Sequence, residues 1–195
     1  MILKILKLLF GIEYLFLFSQ KKLKEKIKAE LRNLDIVINE DHTLASRDIS
    51  PYYLDIKKSF GYPKFLILYS IYIAKYVYKK EYTCVAVSGY GGIPLGVILS
   101  VFLGINVSYI RNSLKNHGKI ETHMDGYVPD ILDNILLLDD VFTTGGSLKI
   151  MVDIIKKESK SKIGAVFVLV KRDEGILPKV YGMEVKHLLT SGDLV

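Results

Sequence analysis

Leu136-Leu137-Leu138-Asp139-Asp140-Val141-Phe142-Thr143-Thr144-Gly145-Gly146-Ser147 joins an apolar run to two adjacent carboxylates and then to a loop of hydroxyls and glycines. The run Asn134–Val141 lacks polar alternation, which predicts a strand buried on both faces. A helix is expected from Ser147 to about Glu158, where the period changes. Glycines between a strand end and a helix start let backbone N–H groups wrap an anion, and the new helix adds its positive end. The hydroxyls of Thr143, Thr144 and Ser147 can donate to phosphate oxygens. Consecutive strand residues face opposite ways, so Asp139 and Asp140 take different jobs: one faces a ribose or its metal, the other orients the loop. A capped helix after a strand, with Ser147 or Thr143 as N-cap, is the plain structural alternative. It explains a serine or a glycine, but not Asp-Asp followed by Thr-Thr-Gly-Gly-Ser.

Outward from this unit the chain repeats the same grammar. Thr83–Ser88 is a short β-rich run that stops at a glycine loop, Gly89-Tyr90-Gly91-Gly92. Ile93–Phe102 reads as a helix with Pro94 in its first turn. Ile105–Arg111 and Lys162–Val170 read as strands, and Asn112–Tyr127 as a polar loop. The order predicts an α/β fold, a mostly parallel sheet flanked by helices, with ligands at the carboxyl ends of its strands. Towards the N-terminus, Leu23, Ile27, Leu31 and Leu34 mark an amphipathic helix over 21–34, and 39–51 is a polar loop ending at Ser50-Pro51. Tyr69, Tyr72 and Tyr76 share one face of a helix over 64–80, a spacing that reads as core or interface packing.

The chain has 195 residues, half of them hydrophobic and 25% charged, enough for a real core and unlike a disordered protein. Its lone cysteine, Cys84, excludes a disulfide framework and a cysteine-based zinc module, and is read as a small buried apolar side chain. A reducing, cytoplasmic setting is expected. The net charge of +6 is uneven: residues 1–80 hold 15 basic and 8 acidic side chains, residues 81–195 hold 12 and 13. Lys21, Lys22, Lys24, Lys26 and Lys28 read as the solvated face of a helix, and without interleaved aromatics no nucleic acid partner is expected. Residues 1–20 form an apolar extension, of which MILKILKLLFGIEYLFLF (1–18) carries Lys4, Lys7 and Glu13, poor for a spanning helix of about 20 apolar residues. Packing on the body or on a second subunit is preferred to membrane contact. His42, His123 and His187 lack metal-ligand spacing, Thr122–Asp125 rides on the polar loop, and Met124 and Met183 read as packing. No Ser-His-Asp, GxSxG or Walker-type pattern occurs.

The segment 136–147 resembles the phosphoribosyl diphosphate (PRPP) motif of type I phosphoribosyltransferases. Thr43-Leu44-Ala45-Ser46-Arg47 with Ser50-Pro51-Tyr52-Tyr53-Leu54-Asp55-Ile56-Lys57-Lys58 is similar to the early segment of orotate phosphoribosyltransferases. Ser88–Leu95 is similar to their diphosphate loop and helix start. Arg111 with Lys115-Asn116-His117-Gly118 resembles their basic active-site loop, and Val170–Gly175 the strand end whose arginine holds the orotate carboxylate. The likeness runs in order over about 21–175. It implies one phosphoribosyltransferase domain over 21–195, with a small hood from 21–60 and the C-terminal segment. It further implies transfer of phosphoribose from PRPP to N1 of orotate, with Mg²⁺ carried by PRPP and no dedicated protein ligand set. Tyr90, Gly91, Gly92, Arg111, Lys115, His117, Asp139, Asp140, Val141, Phe142, Thr143, Thr144, Gly145, Gly146 and Ser147 would bind PRPP. Thr143, Arg172 and Tyr53 would bind orotate. Lys115, His117, Asp139 and Asp140 would be catalytic, and a homodimer would share the loop between subunits.

Elementary chemistry agrees with these roles. Expelling diphosphate from a ribose builds negative charge on the leaving group, which cations on a closing loop stabilise best in a dry site. A guanidinium suits a planar carboxylate. Three positions depart from the pattern. Asn112 stands where many relatives have a second lysine, Gly91 where some carry a lysine, and Ser46 is followed by Arg47 instead of glycine. A phosphoribosyltransferase for another base, and a non-catalytic PRPP- or nucleotide-sensing regulator, are the rival readings. The first predicts indifference of the base to Arg172; the second needs a nucleic-acid element, for which only residues 1–35 are available, and they show no helix-turn-helix.

Overall fold

The computed structural model describes residues 18–38, 42–43, 49–50, 52–77, 80–113, 122–172 and 177–194. Helix α1 (Gln20–Arg32) starts where the Ser19 hydroxyl accepts the Lys22 N–H at 3.3 Å. Leu23, Ile27 and Leu31, four apart, are fully buried, while Lys21, Lys22 and Lys26 stay exposed. Four two-residue strands follow: β1 (Val37–Ile38), β2 (His42–Thr43), β3 (Ile49–Ser50) and β4 (Tyr53–Leu54), pairing β1 with β4 and β2 with β3, both antiparallel. The stretch expected as a polar loop thus contains the β2–β3 pair; strands of two residues are too short for alternation to reveal.

A 3₁₀ turn over Ile56–Gly61 leads into α2 (Pro63–Val77), which packs between α1 and α3 (Gly89–Leu103). Tyr69 is fully buried with its hydroxyl 2.9 Å from Ser59 Oγ, and burial pushes its phenol well above the ordinary value. Tyr72 and Tyr76 lean on Phe167, ring centroids 6.4 and 5.4 Å away, so the tyrosine face is packing, as its spacing suggests. The remaining elements are β5 (Cys84–Ser88), β6 (Asn106–Ile110), β7 (Met124–Gly126), β8 (Asn134–Phe142), α4 (Gly146–Glu158), β9 (Lys162–Lys171), β10 (Lys179–Val180) and β11 (Met183–Thr190).

These strands form one seven-stranded sheet in the order β10-β11-β9-β8-β5-β6-β7, parallel except for β7 and β10 at its edges. One face, with Val85, Val87, Leu136, Leu138 and Phe167, lies under α1, α2 and α3. The other, with Ala86, Ile135, Leu137 and Val168, lies under α4. Burial on both faces accounts for the unbroken apolar runs. From β5 the chain steps outward to β6, and from β8 it steps the other way to β9. The reversal between β5 and β8 opens a crevice at their carboxyl ends, where this class of sheet binds ligands.

Three further details differ from the sequence expectation. The glycine segment 89–92 is the first turn of α3 instead of a loop. A Cβ at Gly96 would stand 2.4 Å from a Val87 methyl, so glycine here serves close helix–strand packing. Pro94 is then the sixth helical residue and leaves the Tyr90 carbonyl without its i+4 donor. The polar stretch 112–127 contains β7. The β10–β11 hairpin, turned by Tyr181-Gly182 with φ of 48° and 80°, had no counterpart in the sequence reading. Past β11, Asp193 ties the chain end to α1, with Lys24 and Lys28 ammonium groups at 3.0 and 3.1 Å. Burial would raise the Asp193 carboxyl; the Thr190 N–H and the two lysines outweigh it and hold it well below the carboxylate range.

Candidate active site

Strand β8 carries Asp139 and Asp140 to the crevice, both buried. Alternation puts Asp140 with Leu136 and Leu138 on the three-helix face and Asp139 with Ile135 and Leu137 on the α4 face. The Asp139 carboxylate accepts the Asp140 N–H at 3.0 Å, and the Asp140 carboxylate accepts the Val141 N–H at 2.8 Å. Burial first, and the Asp140 charge second, push the Asp139 carboxyl up to about 7. Lys57 acts in the opposite sense: its ammonium lies 3.7 Å from Asp140 Oδ2.

The first turn of α3 meets the same carboxylate. A Cβ on Gly91 would fall 2.5 Å from the Asp140 carboxyl carbon, so any side chain at this position would require the Asp140 carboxylate to move. Gly92 is buried just beyond it, a Cβ there standing 3.1 Å from the Leu138 carbonyl, while Tyr90 is 89% exposed at the rim. Across the crevice the 143–147 loop opens into α4. Gly145 holds the N-cap position at φ 77°, over the Phe142 ring, and no side chain caps the helix. Its first N–H groups are therefore available to an anion, with Thr143 and Thr144 half-buried and Ser147 exposed beside them. Phe142 is part of the apolar core, and Val141 is half-buried.

Arg172 follows β9, its N–H donating to the Phe142 carbonyl at 3.0 Å. It is 4% exposed, which excludes a solvated strand-end arginine. Its guanidinium carbon sits 4.6 Å from the Tyr52 ring centroid, and Nη2 donates to the Tyr52 carbonyl at 3.5 Å. Tyr53, expected near the base, is half-buried in β4 opposite Ile38; Tyr52 is the ring against the arginine.

Arg111 leaves β6 with its N–H on the His123 carbonyl at 2.8 Å and its guanidinium paired to Asp125 of β7. His123 Nδ1 lies 2.5 Å from Glu158 Oε1, and the Thr122 hydroxyl donates to Glu158 Oε2 at 2.7 Å. These bonds anchor the base of the basic loop to the end of α4. Burial would raise Glu158; its bonds from His123 and Thr122 prevail and lower it. Lys115 and His117, with Ser46 and Arg47, lie outside the described residues. Asn112 is exposed.

No protein-family model matches the chain. The orotate phosphoribosyltransferase of Methanocorpusculum labreanum is 35% identical over 157 residues, spanning 80% of this chain and 89% of the relative. The chain belongs to the orotate phosphoribosyltransferase family. The Methanosarcina acetivorans orotate phosphoribosyltransferase is 30% identical over 174 residues, 88% of this chain and 91% of its own. In fold, the chain matches the solved orotate phosphoribosyltransferase of Mycobacterium tuberculosis. Its Fe(III) dicitrate complex gives a TM-score of 0.74 at 21% identity, over 88% of this chain and 98% of that one. Its PRPP complex gives 0.70 at 16% identity, over 89% and 92%.

For this orotate phosphoribosyltransferase, sequence reasoning overlooked two side chains at the crevice, Lys57 and Tyr52. Both lie in the Tyr-Tyr-Leu-Asp-Ile-Lys segment that carried part of the resemblance. No periodicity marks them, because the 3₁₀ turn and β4 are too short to show one.

Proposed function

We propose that this enzyme of pyrimidine biosynthesis moves the phosphoribosyl group of PRPP onto N1 of orotate, forming orotidine 5′-monophosphate and releasing diphosphate. The observation that carries the reading is the crevice between β5 and β8. There a buried carboxylate pair ends β8, the uncapped N-terminus of α4 follows it along the chain, and a buried arginine stacked on tyrosine leaves β9 beside the end of β8, its N–H on the Phe142 carbonyl. In our reading Asp139 and Asp140 hold the ribose hydroxyls, the 143–147 loop and α4 hold the 5′-phosphate, and the Tyr90–Gly92 turn faces the diphosphate. Arg172, steadied by Tyr52, takes the orotate carboxylate, with Thr143 nearby. Orotate N1 gives its proton to solvent and its electron pair to the sugar carbon as the carbon–oxygen bond breaks and the diphosphate oxygen leaves with its electron pair.

Among the described residues no three His, Cys, Asp or Glu side chains cluster as a metal cage. Two carboxylates at the ribose end are hard oxygen donors that suit a Mg²⁺ held mainly by PRPP. When bound, Mg²⁺ offsets diphosphate charge. Arg111, Lys115 and His117 then close over the leaving group, from a loop shared across a cytoplasmic homodimer. Purified protein with PRPP, Mg²⁺ and orotate, followed by orotate absorbance, tests the reading beside Lys115→Ala. PRPP-dependent consumption that collapses in the variant supports it; absence of consumption with wild-type protein overturns it.

A further inference from the structure

Among the described residues, cations are scarce beside the two carboxylates that end β8. Two carboxylates line the end of β8, yet PRPP is itself strongly anionic. Gly91 offers no side chain, and a Cβ there would overlap the Asp140 carboxylate. Asn112 is neutral. The Arg111 guanidinium is held by Asp125, and that of Arg172 lies on Tyr52. Among the described residues, Lys57 is the one basic side chain within ion-pair distance of either carboxylate.

We propose that Lys57 is a diphosphate-contacting residue, supplying from the 3₁₀ turn the positive charge that positions 91 and 112 do not. The inference rests on the crevice being the PRPP site. Its geometry is specific: the Lys57 ammonium and the vacant Cβ direction of Gly91 meet on one carboxylate group, that of Asp140. The cation thus reaches the place beside the ribose carboxylates from the 3₁₀ turn, which packs against both α3 and β8. The Lys57 side chain is 47% exposed, so its stem can swing the ammonium from its ion-pair position 3.7 Å from Asp140 towards diphosphate oxygens, to which it offers three N–H donors. A compact ammonium on a flexible stem can follow a leaving group as it departs, which a guanidinium packed on an aromatic ring cannot.

The test uses the full chain with Lys57→Met and Lys57→Arg. For Lys57→Met, the KM for PRPP and the inhibition constant of inorganic diphosphate should rise about tenfold to a hundredfold, the range of a charge-assisted hydrogen bond. The KM for orotate should stay within about twofold, and Lys57→Arg should recover most of the loss. Unchanged PRPP and diphosphate constants in Lys57→Met would overturn the proposal. So would equal weakening of orotate and PRPP with a lowered melting temperature, which marks a structural role. Calorimetric titration with magnesium diphosphate reads the same difference without turnover. An inactive wild-type protein that still loses diphosphate affinity on Lys57→Met would therefore refute the orotate reaction and leave the role of Lys57 standing.

Discussion

Replacing Asp139 by asparagine should make the protein more stable in alkaline solution while abolishing its reaction. Asp139 is 7% exposed, and its carboxyl is pushed from 3.8 to about 7 by burial and by the neighbouring Asp140 charge. In the unfolded chain it ionises near its ordinary value. Between these values the native state binds more protons, so stability is fully present below about pH 4 and is lost as pH rises through about 7. At ~1.4 kcal/mol per pH unit, the unfolded chain's easier ionisation of this group costs the native state on the order of 4 kcal/mol at pH 8 and roughly 2 at pH 5. Asparagine carries no charge and keeps an oxygen for the Asp140 N–H now bonded at 3.0 Å. Ligand-free Asp139→Asn should therefore gain about 2–3 kcal/mol more at pH 8 than at pH 5, a large share of a typical ~5–15 kcal/mol. The chain has no tryptophan, so urea unfolding is best followed by far-ultraviolet circular dichroism at both pH values. An equal gain at the two pH values, or a loss at pH 8, would refute the argument that a buried charge is tolerated here for function.

Arg172→Lys keeps the charge but loses the planar fork stacked on Tyr52. The KM for orotate should rise about tenfold or more with that for PRPP nearly unchanged, as steady-state kinetics would read. Gly91→Ala puts a methyl 2.5 Å from the Asp140 carboxyl carbon, so kcat/KM for PRPP should fall at least about tenfold as Asp140 is displaced; wild-type kinetics would contradict this. Asp193→Asn removes the anion that Lys24 and Lys28 grip and should destabilise by about 1–3 kcal/mol at pH 7. Because the Asp193 carboxyl is held low, its contribution is present above the ordinary carboxylate value and fades as pH falls through the lowered one. The deficit seen by thermal melting should shrink in acid.

The sequence alone determined the β8–loop–α4 unit, because strand, paired carboxylates, glycines and helix are contiguous and each has its own local signature. It likewise determined α1, whose Leu23, Ile27 and Leu31 repeat at helical spacing and are all buried. It misread Gly89–Gly92 as a loop, since glycine reports both a turn and a helix pressed against a strand. Only the packing of α3 on Val87 distinguishes the two. The tertiary structure alone decided which distant side chains share the crevice. Tyr52 meets Arg172 across 120 residues, Lys57 and Gly91 meet at Asp140, and Asp125 holds Arg111. Local periodicity records how a segment buries its own face, whereas these meetings depend on the order in which strands enter the sheet and on where the chain reverses between β5 and β8.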